Sequence, residues 1–119
     1  MIAIKRVYDK AKPEDGRRFL VERLWPRGVA KDRLAAEWVK EVAPSPELRR
    51  WFGHDPEKWD DFQRRYRREL DENGAGWRPL LAAARHGRIT LVYAARDEAH
   101  NSALLLKEYL DQRLEEGEG

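Results

Sequence analysis

The chain has 119 residues, the length of a single domain. It contains no cysteine, which excludes disulfides, thiolate metal sites and cysteine nucleophiles. Charged residues are 39% of the chain but the net charge is only +2, so both signs share the surface and nothing in the balance alone points to nucleic acid.

The first residues lack the apolar core of a signal peptide, and no apolar run reaches the ~20 residues that span a bilayer. With the absence of cysteine, this predicts a cytoplasmic protein with no membrane partner. A chain of this size buries roughly two-thirds of its unfolded surface, enough for a core without staples. The five tryptophans are expected mostly as core anchors, with one or two lining a cleft.

Residues 2–7 read as a first strand. Residues 8–16 carry Asp, Lys, Pro and Gly and read as a loop. The near-continuous apolar run over 19–24 predicts a second strand. Trp25-Pro26-Arg27-Gly28 turns the chain, since proline removes a ladder donor and glycine permits positive φ. Leu34 and Trp38, four apart, predict a short helix over 31–39, while another short strand could lie within 38–42.

Ser45-Pro46 is a cap followed by proline in the first helical position, so a short helix is expected to carry Leu48 and Phe52 and end at Gly53. Asp55-Pro56 repeats that start for the longest helix, to about residue 72. Trp59, Phe62, Tyr66 and Leu70 form its buried stripe. Asn73-Gly74 reads as its stop. A helix over 77–85 follows, with Pro79 in its first turn, and Gly87 ends it. Residues 89–94 are the clearest strand. The last helix is expected over 98–114, with Ala103, Leu106, Leu110 and Leu114 inward, and residues 115–119 fraying.

This order predicts one α/β domain over residues 1–119. Its sheet is small and mainly parallel, with three or four strands flanked by about five helices.

In open α/β sheets, ligands bind beyond the carboxyl ends of the strands. The second strand ends in Glu22, Arg23, Trp25 and Arg27. The third ends in Tyr93, Arg96 and Asp97, with His100 and Asn101 opening the last helix. If these two strands are parallel neighbours, Arg23, Trp25 and Arg27 lie near Arg96, His100 and Asn101. Arginines and a helix start both favour an anion. The expected ligand residues are Arg23, Trp25, Arg27, Tyr93, Arg96, His100 and Asn101, with an anionic or nucleotide-like small molecule as partner. His100 is the candidate acid or base. The competing reading pairs the arginines with nearby acids and gives His100 and Asn101 to packing and the loop.

His54, His86 and His100 are scattered, so no metal is expected, and no cofactor is indicated. Arg64, Arg65, Arg67 and Arg68 look like a nucleic-acid patch. Asp60, Asp61 and Glu72 stand four residues from Arg64, Arg65 and Arg68, however, which predicts a salt-bridged face and argues against specific DNA binding. A nucleic-acid-associated or protein-interaction module without catalysis is the alternative function. Oligomeric state is not legible in the sequence.

Lys5-Arg6-Val7-Tyr8-Asp9, then Val21-Glu22-Arg23-Leu24-Trp25-Pro26-Arg27-Gly28, resemble the YeaO-like branch of the bacterial domain of unknown function 488 family. The likeness continues through Trp38-Val39-Lys40-Glu41-Val42-Ala43-Pro44-Ser45, Leu48-Arg49 and Trp51-Phe52. It closes with Leu91-Val92-Tyr93-Ala94-Ala95-Arg96-Asp97 and His100-Asn101-Ser102-Ala103. The resemblance implies an α/β fold and a small cytosolic protein, and brings no established activity. Glu22 stands where the family's Asp is expected. Longer relatives place Arg and Pro after the matching strand, and Glu, Cys, His and Arg after the last. Ala95 replaces that acid here and cysteine is absent, so chemistry needing those groups is not carried over. A label of MarR-type regulator, given to some relatives, is unsupported, since no helix-turn-helix followed by a β-wing is visible.

Overall fold

The computed structural model describes residues 1–117. Four strands, β1 (Ile2–Arg6), β2 (Arg17–Leu20), β3 (Glu37–Trp38) and β4 (Ile89–Tyr93), form one sheet in the order β1-β4-β2-β3. Every pairing is parallel. The α-helices are α1 (Lys31–Leu34), α2 (Pro46–Phe52), α3 (Trp59–Asp71), α4 (Gly74–Arg85) and α5 (Ser102–Glu115). The α/β reading and the parallel sheet are therefore found as expected.

β4 is an interior strand of the sheet, buried at every position, as a largely apolar strand covered on both faces must be. Alternation along the strands divides the core into two layers. Phe19, Val21, Leu91 and Tyr93 face the large layer, built with α2, α3, α4 and α5. Leu20 and Val92 face a thin layer with Val7 and Leu34. The stripe of α3 packs inward as its spacing predicts: Phe62, Tyr66 and Leu70 are buried and Trp59 packs against them at the edge. The buried Tyr66 hydroxyl donates to the Val42 carbonyl at 2.6 Å.

Several boundaries differ from the sequence reading. β2 starts at Arg17 and ends at Leu20. Its start was hidden because Arg17 and Arg18 look unlike strand residues. Arg18 is in fact buried, with Nη1 donating to Asp15 at 2.6 Å and Nε donating to the Leu34 carbonyl at 3.1 Å. Lys5 reaches the same carboxylate at 3.0 Å, and Thr90 Oγ1 donates to the Asp15 carbonyl at 2.7 Å. β2 ends early because the Glu22 side chain, rather than a strand carbonyl, takes the Ala94 N–H.

The helix expected over 31–39 stops at Leu34, since Ala35 adopts the left-handed conformation at φ 49°. Glu37 and Trp38 then pair with Phe19 and Leu20, the short strand foreseen in this region. The spacing of Leu34 and Trp38 was coincidental: one is buried in the thin layer and the other lies 41% exposed on the edge strand. Asn73-Gly74 opens α4 instead of only closing α3, and Pro79 falls inside α4 beyond its first turn. Asn73 Nδ2 donates to the Glu41 carbonyl at 2.9 Å, which anchors the turn. α5 begins at Ser102 because Asn101 caps it, Oδ1 accepting from Leu104 N–H at 2.9 Å. The expected fraying over 115–119 lies partly outside the described residues.

The arginines of α3 are compensated differently from the i,i+4 pattern. Arg64 pairs with Asp61, Arg65 lies 4.0 Å over the Trp51 ring, and Arg67 reaches Glu108 of α5 at 3.9 Å. α3 packs against α2 and α5, so cross-helix partners compete with those on its own surface. No helix among the described residues is long and apolar enough to cross a membrane.

Candidate functional site

β2 and β4 are parallel neighbours, with Leu20 opposite Val92. Their carboxyl ends share one rim, and a cleft of about 240 Å³ opens there. Glu22 follows β2, Ala94 and Ala95 follow β4, and His100, Asn101 and Ser102 lead into α5. Phe52 and Phe62, stacked at 4.4 Å between centroids, supply an aromatic wall from α2 and α3. Arg49 and His54 complete it. A second cleft of about 450 Å³ adjoins through Phe52, His54, Ala95 and His100 and adds Arg96 and Asp97.

The polar groups are held by their own partners. Glu22 Oε2 accepts from Ala94 N–H at 2.9 Å. Asp97 Oδ1 accepts from the N–H groups of Ala99 and His100 at 2.9 and 3.1 Å. Asp97 Oδ2 lies 2.9 Å from His100 Nδ1. The Ala99 N–H and the His100 ring hold the Asp97 carboxyl below its ordinary range. In the neutral imidazole this contact places the proton on Nδ1 and leaves Nε2 as an acceptor. The His100 ring also meets the Trp59 ring edge-on, at 5.1 Å.

His54 has φ 58°, directly after Gly53 at φ 54°. A left-handed residue other than glycine carries strain, and such positions concentrate at functional sites. The turn swings the imidazole beside Phe52, at 6.1 Å between centroids.

The structure divides the seven residues read from the sequence. His100 and Asn101 line the cleft, and Arg96 lines its extension. Asn101 is committed to the fold, because Nδ2 also donates to the carbonyls of Asp97 and Glu98. Arg23 stands behind the wall: Nη2 donates to the carbonyls of Ala43 at 2.9 Å and Pro44 at 3.4 Å, while Nε is buried without a partner. Trp25 packs in the thin layer, edge-on to Trp38 at 5.4 Å, with Nε1 donating to the Val29 carbonyl. Arg27 is exposed in the turn that follows. Tyr93 is a buried core residue, and burial pushes its hydroxyl pKa up. The arginines thus form no cluster. Side chains of β2 alternate between the layers, so the chain beyond it feeds both faces.

Arg49, Phe52, His54 and Phe62 were missed as site residues. The only signal was Gly53-His54 after a predicted helix, where a left-handed turn would re-aim a histidine. Among the described residues no group of three or more His, Asp or Glu could hold a metal ion.

A family model described as "Inactive DUF488-N3 subclade" matches residues 1–119. The chain belongs to this DUF488-N3 subclade. Its relatives include the uncharacterised protein YeaO of Escherichia coli K12, 42% identical over 110 residues, covering 92% of this chain and 96% of YeaO. An uncharacterised protein of Mycobacterium tuberculosis H37Rv, Rv3073c, is 42% identical over 117 residues, covering 94% of this chain and 95% of the relative. No solved structure matches the chain. The DUF488 resemblance read from Arg23-Leu24-Trp25-Pro26-Arg27-Gly28 and its companions therefore holds along the chain.

Proposed function

We propose that this DUF488 protein is a cytoplasmic small-molecule-binding protein, whose cleft takes an anionic or nucleotide-like ligand. One observation carries the reading. The ends of β2 and β4 and the entrance to α5 converge on a single cleft with an aromatic wall, lined also by the Arg49 guanidinium and the imidazoles of His54 and His100. Apolar lining with a few convergent polar groups is the usual make-up of a ligand site.

Binding without turnover is supported by the description of the subclade as inactive. It is also supported by the chemistry present. Asp97 orients His100, but the nearby hydroxyl, Ser102, has no hydrogen bond to that ring among the described residues. A base with no hydrogen-bonded nucleophile among the described side chains favours recognition over reaction.

Thermal melts with nucleoside monophosphates, inorganic phosphate and small carboxylates test this. A ligand at 100 times its Kd stabilises the native state by about 2.7 kcal/mol. Arg49 is exposed, so Arg49→Ala is expected to leave the melting temperature of the free protein nearly unchanged and to reduce the ligand-induced rise. A panel in which nothing raises the melting temperature overturns the reading.

A further inference from the structure

Glu22 is the one carboxylate of the inner cleft, and the anion-binding reading leaves it without a role. It is half-buried and shares the cleft lining with Phe52 and Phe62 as well as with polar groups such as Arg49 and His54. No lysine, arginine or histidine lies within ion-pair distance of it among the described residues. Its neighbour Arg23 directs Nη2 to the carbonyls of Ala43 and Pro44 instead. A carboxylate among apolar groups requires hydrogen-bond donors.

One donor is supplied: the Ala94 N–H, on Oε2. That bond fixes the plane of the group against β4. A carboxylate has about four lone-pair sites, and Oε1 has no protein donor among the described residues, which leaves it accessible to a ligand. The stacked rings of Phe52 and Phe62 set a flat aromatic wall beside it. A cation stands on the same lining, the Arg49 guanidinium. The cleft thus joins an acceptor pair, on Glu22, to the positive charge of Arg49.

A planar group edge that meets both oxygens of a carboxylate needs two N–H donors side by side, as a guanidinium does. Guanine presents such an edge, N1–H beside the N2 amine. Hypoxanthine keeps N1–H and lacks the amine. Adenine places its amine beside an acceptor nitrogen, which faces the second oxygen unfavourably.

We propose that Glu22 is the specificity-determining residue of this cleft, selecting planar ligands with two adjacent N–H donors, of the guanine kind, that also carry an anionic group for Arg49. The proposal rests on the small-molecule reading above and names its ligand class.

Titration calorimetry with guanosine, inosine and adenosine monophosphates, on the whole protein and on Glu22→Gln, tests it. The expected result is guanosine monophosphate binding at least about tenfold tighter than the other two, because each lacks one donor of the pair. In Glu22→Gln that preference is expected to collapse to within about threefold, since an amide offers one acceptor and one donor. Equal binding of all three by the unaltered protein overturns the selectivity and leaves the cleft reading standing. A preference for guanosine monophosphate that survives in folded Glu22→Gln overturns the assignment of that preference to Glu22. Failure of all three nucleotides to bind overturns the proposal; failure of the wider melting panel as well removes the cleft reading too. If Glu22→Gln does not fold, the comparison of ligands on the unaltered protein still tests the selectivity, and Glu22→Ala tests its source by the same loss of preference.

Discussion

Glu22 and Ala94 lie 72 residues apart, and the carboxylate of the first accepts the backbone N–H of the second at 2.9 Å. The bond ties the exits of two neighbouring strands together where the sheet ladder stops. It also joins Glu22, on the cleft lining, to the first residue after β4.

His54→Gly is expected to raise stability while weakening ligand-induced stabilisation. Glycine adopts φ 58° without the Cβ penalty, which is worth roughly 1 kcal/mol. The imidazole, in contrast, is lost from the cleft. Urea melts and ligand titrations on the same variant check both halves. A variant less stable than the parent would show that the turn is held by the imidazole instead of straining against it.

Tyr66→Phe is expected to cost about 1–3 kcal/mol, because it leaves the buried Val42 carbonyl without its donor. Phe62→Ala is expected to cost more, about 3–5 kcal/mol, since Phe62 is buried and stacks on both Phe52 and Trp59. Chemical denaturation of the two variants gives the order directly. A larger loss for Tyr66→Phe than for Phe62→Ala would contradict it.

Burial pushes the Asp15 carboxyl up, but the Lys12 N–H, the Lys5 ammonium and the Arg18 guanidinium outweigh it and hold the pKa at about 2, against an ordinary 3.8. The folded value is the lower one, so this group's contribution is complete above pH 3.8 and is lost as pH falls towards 2. Asp15→Asn should therefore be destabilised near neutrality, by about 3–5 kcal/mol if Arg18 is left without a counter-ion. The variant should also lose less further stability through the acid window. Melts from pH 5 downward, at about half-unit steps, test the difference in slope.

Double-stranded DNA is expected to bind weakly and without sequence preference. Arg64 is paired with Asp61, Arg65 is spent on the Trp51 ring, and Arg67 faces Glu108. A nanomolar complex with one sequence at physiological salt, far beyond non-specific affinity, would contradict this.

Much of the fold was legible because it rests on local pattern. β4 showed as an apolar run, and α3 showed through Phe62, Tyr66 and Leu70. β3 was legible only as a short strand somewhere within 38–42, since two residues carry no periodicity and their strand character comes from pairing with Phe19 and Leu20. The start of β2 was masked by Arg18, whose burial depends on Asp15 in the preceding turn. The site was half legible. Topology correctly brought the two strand ends to one rim, and His100 with them. Which face Trp25 and Arg27 would join was not, because that depends on how the chain leaves β2. Nor was the aromatic wall, whose Phe52 and Phe62 look like ordinary core residues until the sheet shows where the core ends.

The central strand is also nearly the last to be made. β1 pairs only with β4, and β2 has β4 on one side and two residues of β3 on the other. On the ribosome, the amino-terminal strand therefore waits, unpartnered, until synthesis has passed Tyr93. The sheet cannot grow outward from one end; it closes when the missing middle is inserted. Chains that stop short of β4 would hold two further open strand edges, one on β1 and one on β2, and exposed edges of this kind favour aggregation.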